Sequence, residues 1–117
     1  MLWQEMKKLS SGWEIIYSPD AFSDLAGLSG GVQSRVIDAI ARVSRNPLPQ
    51  REGGYGVELG KKNGVDLSGL LKIKLKKSGV RVVYKLKRDE KGMRIIVIGM
   101  RADDEVYREA AKRDGRG

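Results

Sequence analysis

Three lysines alternate at Lys72, Lys74 and Lys76, and Arg81 follows, inside a stretch from Leu70 to Arg88 that holds eight of the chain's 23 Lys and Arg residues and no acid. Arginine presents a planar fork to phosphate oxygens. Lysine is a point charge, and a lysine crowded by other cations gives up its proton more readily. Such a cluster can both bind a phosphate and act as a base beside it. The same lysines also have a plainer use, because charged side chains on an edge strand block edge-to-edge association.

The rest of the composition narrows the chemistry. The 117 residues include no His and no Cys, so disulfides, thiolate zinc sites and the commonest acid/base side chain are all excluded. The acids fall in turns and on outer helix faces, for instance at Asp103-Asp104-Glu105, which argues against the convergent carboxylates of a metal-dependent nuclease. No metal and no cofactor is expected. Cleavage of RNA needs neither: the 2′-hydroxyl attacks the adjacent phosphate, and the protein supplies a base, a cation for the developing charge and an acid for the leaving oxygen. DNA lacks that nucleophile. A net charge of +8 favours an anionic partner, nucleic acid before an acidic protein and that before a membrane surface. No segment approaches the length of a membrane span, and a soluble cytoplasmic protein is the default expectation.

Period-two alternation puts Leu71, Ile73 and Leu75 on one face of a strand and Val82, Tyr84 and Leu86 on one face of the next. A two-residue turn at Ser78-Gly79 then pairs Leu75 with Val82, Ile73 with Tyr84 and Leu71 with Leu86. In that register Lys72, Lys74, Lys76, Arg81 and Lys85 share the opposite face, giving a hairpin with one apolar and one cationic side. Trp13 to Tyr17 reads as a strand. Ser18-Pro19-Asp20 then caps a helix through Leu28 with Phe22, Leu25 and Leu28 inward. Val32 to Ser44 is a second helix with Val32, Val36, Ile40 and Val43 inward and Arg35, Asp38 and Arg42 outward, stopped at Asn46-Pro47. Residues 47–68 read as a long Gly-, Pro- and charge-rich loop. Met93 to Met100 reads as a strand buried on both faces, and a last helix starts at Asp103 with Lys112-Arg113 in its final turn. The expected fold is one α+β domain over residues 1–117: a small, mostly antiparallel sheet with an N-terminal helical hairpin on one face and a C-terminal helix, plus an extension at 1–12.

LLKIKLKKSGVRVVYKL followed by IIVIGMRADDEVYREAAKR, with WEIIYSPDAFSDL before them, resembles the bacterial RelE-type toxins of the RelE/ParE superfamily over residues 13 to 113. The nuclease members of that superfamily cut mRNA on the ribosome. The resemblance implies a catalytic group of Lys72, Lys74, Arg81, Arg101 and Tyr107. In it Lys74, helped by Lys72, removes the 2′-hydroxyl proton and Arg81 binds the scissile phosphate. Arg101 stabilises or protonates the leaving 5′-oxygen, and charge stabilisation is the simpler role for a group with a pKa above about 12. Tyr107 stacks on or orients a nucleotide, although a helical tyrosine beside Val106 also suits a core. Lys76, Lys77 and Lys85 add RNA contacts. The implied partners are mRNA in the ribosomal A site, ribosomal RNA and a cognate antitoxin laid across the sheet. Two other readings remain: a ParE-like DNA gyrase poison, which shares the fold but not the reaction, and a non-enzymatic RNA- or ribosome-binding domain using the same cationic face.

Overall fold

The computed structural model describes residues 12–62, 64–99 and 104–115. Residues 1–11 of the extension at 1–12, and Arg101, lie outside the described residues. Five strands form one sheet: β1 (Glu14–Tyr17), β2 (Val57–Lys62), β3 (Val65–Lys74), β4 (Arg81–Lys87) and β5 (Gly92–Gly99), in the order β1-β5-β4-β3-β2. β1 runs parallel to β5 and every other pair is antiparallel. Between β1 and β2 come helices α1 (Pro19–Ala26) and α2 (Gly30–Val43), and α3 (Asp104–Arg113) follows β5. The expected α+β class is the one observed. Among the described residues no helix is long and apolar enough to cross a membrane.

Local chemistry accounts for the helical hairpin. Ser18 caps α1, its Oγ accepting from the Ala21 amide at 3.1 Å, and Pro19 fills the first turn, where its missing N–H costs nothing. Gln33 donates from Nε2 to the Leu25 carbonyl at 2.9 Å, which ties the start of α2 to the end of α1. Val36 and Ile40 of α2 are fully buried, with Val32 and Val43 packed beside them. Phe22 departs from expectation, since 61% of it is exposed, while Ala21 and Leu25 point inward. The helix closes at Ala26, so an Ala21/Leu25 pair at i,i+4 serves the core and Leu28 packs from beyond the helix end.

Each face of the sheet carries its own apolar layer. Leu71, Ile73, Val82, Tyr84, Met93, Ile95 and Ile98 meet α1 and α2; Leu67, Leu70, Val83, Ile96 and Val97 meet Val106, Tyr107, Ala110 and Ala111 of α3. β5 is thus buried on both sides, as its apolar run suggests. A bulge makes that possible: Val83 pairs with Val97 and Tyr84 with Ile95, leaving Ile96 as the extra residue, so Ile96 and Val97 both turn to α3. Filling these layers stabilises by about 1.5–3 kcal/mol per fully buried Val, Leu or Ile, before the opposing entropy.

Three features differ from the sequence reading. The stretch expected as a loop over 47–68 contains β2 and the first residues of β3; among its described residues 47–56 and Gly64 lie outside the strands, with a 3-10 turn at Gln50–Glu52. The β2–β3 register slips between Glu58 and Gly60, and that bulge erases the period-two signal of a charged edge strand. The β3–β4 register also differs. Leu71 faces Tyr84, Ile73 faces Val82 and Lys74 faces Arg81, two residues from the expected pairing. Residues 76–79 form a four-residue loop, closed by Leu75 N–H to the Val80 carbonyl and Gly79 N–H to the Leu75 carbonyl, both 2.9 Å, with Gly79 left-handed at φ 77°. A two-residue turn of the favoured type would need positive φ at Ser78 as well, and serine resists it. A slip of two keeps every side chain on its own face, so the apolar side survives intact. The opposite side is the third difference. It is not uniformly cationic, because Leu70 and Val83 share it and are covered by α3.

Candidate active site

β3 and β4 place the cationic residues. Lys74 and Arg81 are direct cross-strand partners, and Arg81 in turn faces Gly99 of β5, so Lys74, Arg81 and Gly99 form one row across three strands. Directly opposed residues in an antiparallel pair hold their Cβ atoms about 5 Å apart, close enough for both side chains to reach one phosphate. Lys72 lies two residues back on the same side of β3, opposite Val83 and half-buried where the α3 layer ends. Arg81 donates from Nη1 to the Gly79 carbonyl at 3.0 Å, which fixes its guanidinium beside the hairpin loop and commits only one of its five donors.

α3 borders this row closely. A methyl group on Gly99 would lie 2.6 Å from Val106 Cγ2, so only glycine lets the helix sit over the strand end. Tyr107 follows Val106 and is 7% exposed, packed with Leu70, Val83 and Val97. In this conformation its ring is part of the α3 layer and is not open to a base.

Of the sequence-derived residues, the sheet brings together Lys72, Lys74 and Arg81, with Tyr107 behind them in the adjoining apolar layer. Gly99, two positions before Arg101, is the cross-strand neighbour of Arg81. Lys76 and Lys77 lie in the hairpin loop and line a groove toward α2. Lys85 stands at the far end of β4, where its Nζ donates to Asp114 Oδ1 at 3.1 Å. Among the described residues no cluster of three or more acids is placed to hold a metal ion.

Sequence reasoning missed the element that secures α3. Arg113 donates to Asp24 of α1 and to the Ile96 carbonyl of β5, a junction spanning 89 positions that no local pattern signals. It also missed Tyr84 as an anchor: its buried hydroxyl donates to the Pro47 carbonyl at 2.9 Å and pins the loop that leads into β2.

No family model matches the chain, and no curated protein does. Solved structures do. The isolated RelE toxin of E. coli superposes with a TM-score of 0.63 at 24% identity, covering 87% of this chain and 98% of that one. A double arginine-to-alanine mutant of the same toxin in the free state reaches 0.66 at 24% identity, covering 87% and 97%. The toxin–antitoxin complex RelBE2 from Mycobacterium tuberculosis gives 0.61 at 22% identity, covering 79% and 94%. With its helical hairpin on one face of the sheet and α3 on the other, the chain has the fold of the RelE-type toxins.

Proposed function

We propose that the chain is the toxin of a type II toxin–antitoxin pair and acts as a metal-independent endoribonuclease on mRNA in the ribosomal A site, in the cytoplasm. The observation that carries this reading is the pairing of Lys74 with Arg81, beside Lys72, on the sheet face bordered by α3. In the proposed reaction Lys74 takes the proton of the 2′-hydroxyl, with Lys72 adding positive charge beside it. The 2′-oxygen bonds to phosphorus while Arg81 binds the non-bridging oxygens, and the bond to the 5′-oxygen breaks. Charge builds on that oxygen, which Arg101 stabilises by analogy with the family while the oxygen takes up a proton from water. The products are a 2′,3′-cyclic phosphate and a 5′-hydroxyl end.

Tyr107 enters this scheme through α3: it holds the helix against the sheet, and any stacking on a nucleotide requires the helix to shift. Free RNA is cut poorly, because an open row of cations does not preorganise a flexible strand and the ribosome does. A cognate antitoxin is the proposed cellular partner, supported by the solved neighbours that are RelE–RelB assemblies. Induction of the chain should arrest growth, and Lys74→Ala with Arg81→Ala should relieve the arrest. Gyrase inhibition with intact translation would instead favour the ParE-like reading, and undiminished toxicity of the soluble double variant would sink the proposal.

A further inference from the structure

Two side chains on the outer edge of the sheet stay exposed on the side of the cationic row. Val57 is the direct partner of Lys72 across β2 and β3 and shares its side, with 36% of it exposed. Next to it in the chain, a methyl group on Gly56 would run into Leu71 and the Tyr84 hydroxyl, in the layer under α1 and α2. Gly56 thus turns inward, and its neighbours Tyr55 and Val57 turn the other way, toward the side of Lys72 and Lys74. Tyr55 is 57% exposed. Val57 lies opposite Lys72 in antiparallel strands, and the same register continued upstream brings Tyr55 level with Lys74. The backbone there is tied down: Tyr55 N–H donates to the Asn46 carbonyl, Gly56 N–H to the Leu48 carbonyl and Gln50 N–H to the Gly56 carbonyl, each at 2.9 Å. A methyl group on Gly54 would run into Leu48, so the chain is closely packed on both sides of the tyrosine.

We infer that Tyr55 is the stacking platform for one base of the RNA strand whose scissile phosphate lies on Lys74 and Arg81. A tyrosine serves a fold by burying its ring, and here a closely bonded loop holds the ring in the open instead. Among the described residues the other exposed aromatic is Phe22, on α1 across the sheet, while Tyr107 is packed between α3 and the sheet. The row is thus left with one ring open to a base. A nucleotide needs a flat apolar face next to cations, and Tyr55 beside Lys72 and Lys74 offers both. A partner protein anchors best on a ring set in a dry apolar surround, whereas apart from Val57 the sheet residues beside this ring are lysines. The inference rests on the proposed nuclease reading and names the residue that holds a nucleotide beside the cut.

The test uses the full chain on ribosomes programmed with a defined A-site codon, with an abasic nucleotide placed at each codon position in turn. Binding to the same ribosomes carrying 2′-deoxy codons, which lack the nucleophile, is measured in parallel. Tyr55→Ala should lower kcat/KM and weaken binding about tenfold, and Tyr55→Phe should stay within about twofold of the wild type, because the ring is what stacks. At one codon position the missing base should cost the wild type about tenfold and Tyr55→Ala less than about twofold, since that base has already lost its platform. Both variants should keep the wild-type urea midpoint. Additive losses at every position overturn the inference, and so does a Tyr55→Phe as impaired as Tyr55→Ala, which assigns the effect to the hydroxyl. Unchanged cleavage by Tyr55→Ala with lost antitoxin binding also overturns it and gives the ring to a protein partner. If the wild type makes no cyclic-phosphate ends but the coupling to one base persists in binding, the inference stands and the nuclease reading falls. If the wild type cleaves and Tyr55→Ala matches it at every position, the nuclease reading stands and the inference falls.

Discussion

Arg113 and Asp24 together take the place of a missing strand at the edge of the sheet. β1 accompanies β5 only as far as Ile95. Beyond it, the Asp24 carboxylate accepts the Ile98 amide at 3.0 Å, Arg113 donates to the Ile96 carbonyl at 2.9 Å, and the two side chains join at 2.8 Å. Glu109 holds the guanidinium from one helical turn back, also at 2.8 Å. The hydrogen bond to Asp24, above all, raises the Arg113 pKa beyond its ordinary value. One junction thus satisfies the edge of β5 and fastens α3 to α1.

Arg113→Ala should leave the Asp24 carboxylate half-buried without its cation and cost about 1–3 kcal/mol, read as a lower urea midpoint. Amide exchange should rise first in α3. Asp24→Ala/Arg113→Ala should cost less than the sum of the two single changes. Strict additivity would mean that the pair does not act as a unit.

Gly99 sets how closely α3 approaches the row of Lys74 and Arg81. Gly99→Ala should push Val106 away and destabilise by about 1–3 kcal/mol through overpacking. Adding Val106→Ala should recover part of that loss, since the obstructing methyl is then absent. A double variant no more stable than Gly99→Ala would place the strain elsewhere.

Tyr84 should give the fold an alkaline limit. Burial pushes its hydroxyl well above the ordinary tyrosine value of about 10. The native state therefore prefers the neutral phenol: this contribution is complete below about pH 10 and declines as pH rises from there toward the folded value. Tyr84→Phe should cost about 1–3 kcal/mol at neutral pH by orphaning the Pro47 carbonyl. It should also flatten the fall in stability above about pH 10. Some slope should remain from Tyr17, which burial shifts in the same direction. Equal slopes in wild type and variant would contradict this assignment.

What could be read from the sequence follows the range of each signal. The faces of β3 and β4 were legible because alternation is local and survives a register slip of two, so Leu71, Ile73, Val82 and Tyr84 fall on the expected side. The pairing itself was not, since it turns on the φ angle of Gly79 and the four-residue loop that angle permits. β2 was hidden by its bulge and its charges. Lys72, Lys74 and Arg81 could be grouped from spacing alone, whereas the burial of Tyr107 depends on Leu70 and Val83, which alternation had assigned to a cationic face. The clamp of Asp24 and Arg113 exists only once distant segments meet.

The row of Lys74 and Arg81 is the centre of the account, and the chemistry of the cut ends tests it most directly. In a reconstituted translation system with a defined A-site codon, the wild-type chain should yield 2′,3′-cyclic phosphate and 5′-hydroxyl ends without added metal beyond what the ribosome needs. Lys74→Ala and Arg81→Ala should each slow cleavage by about 10²-fold or more while leaving ribosome binding in place. Cleavage at the wild-type rate by either folded variant, or ends bearing 5′-phosphates, would contradict it.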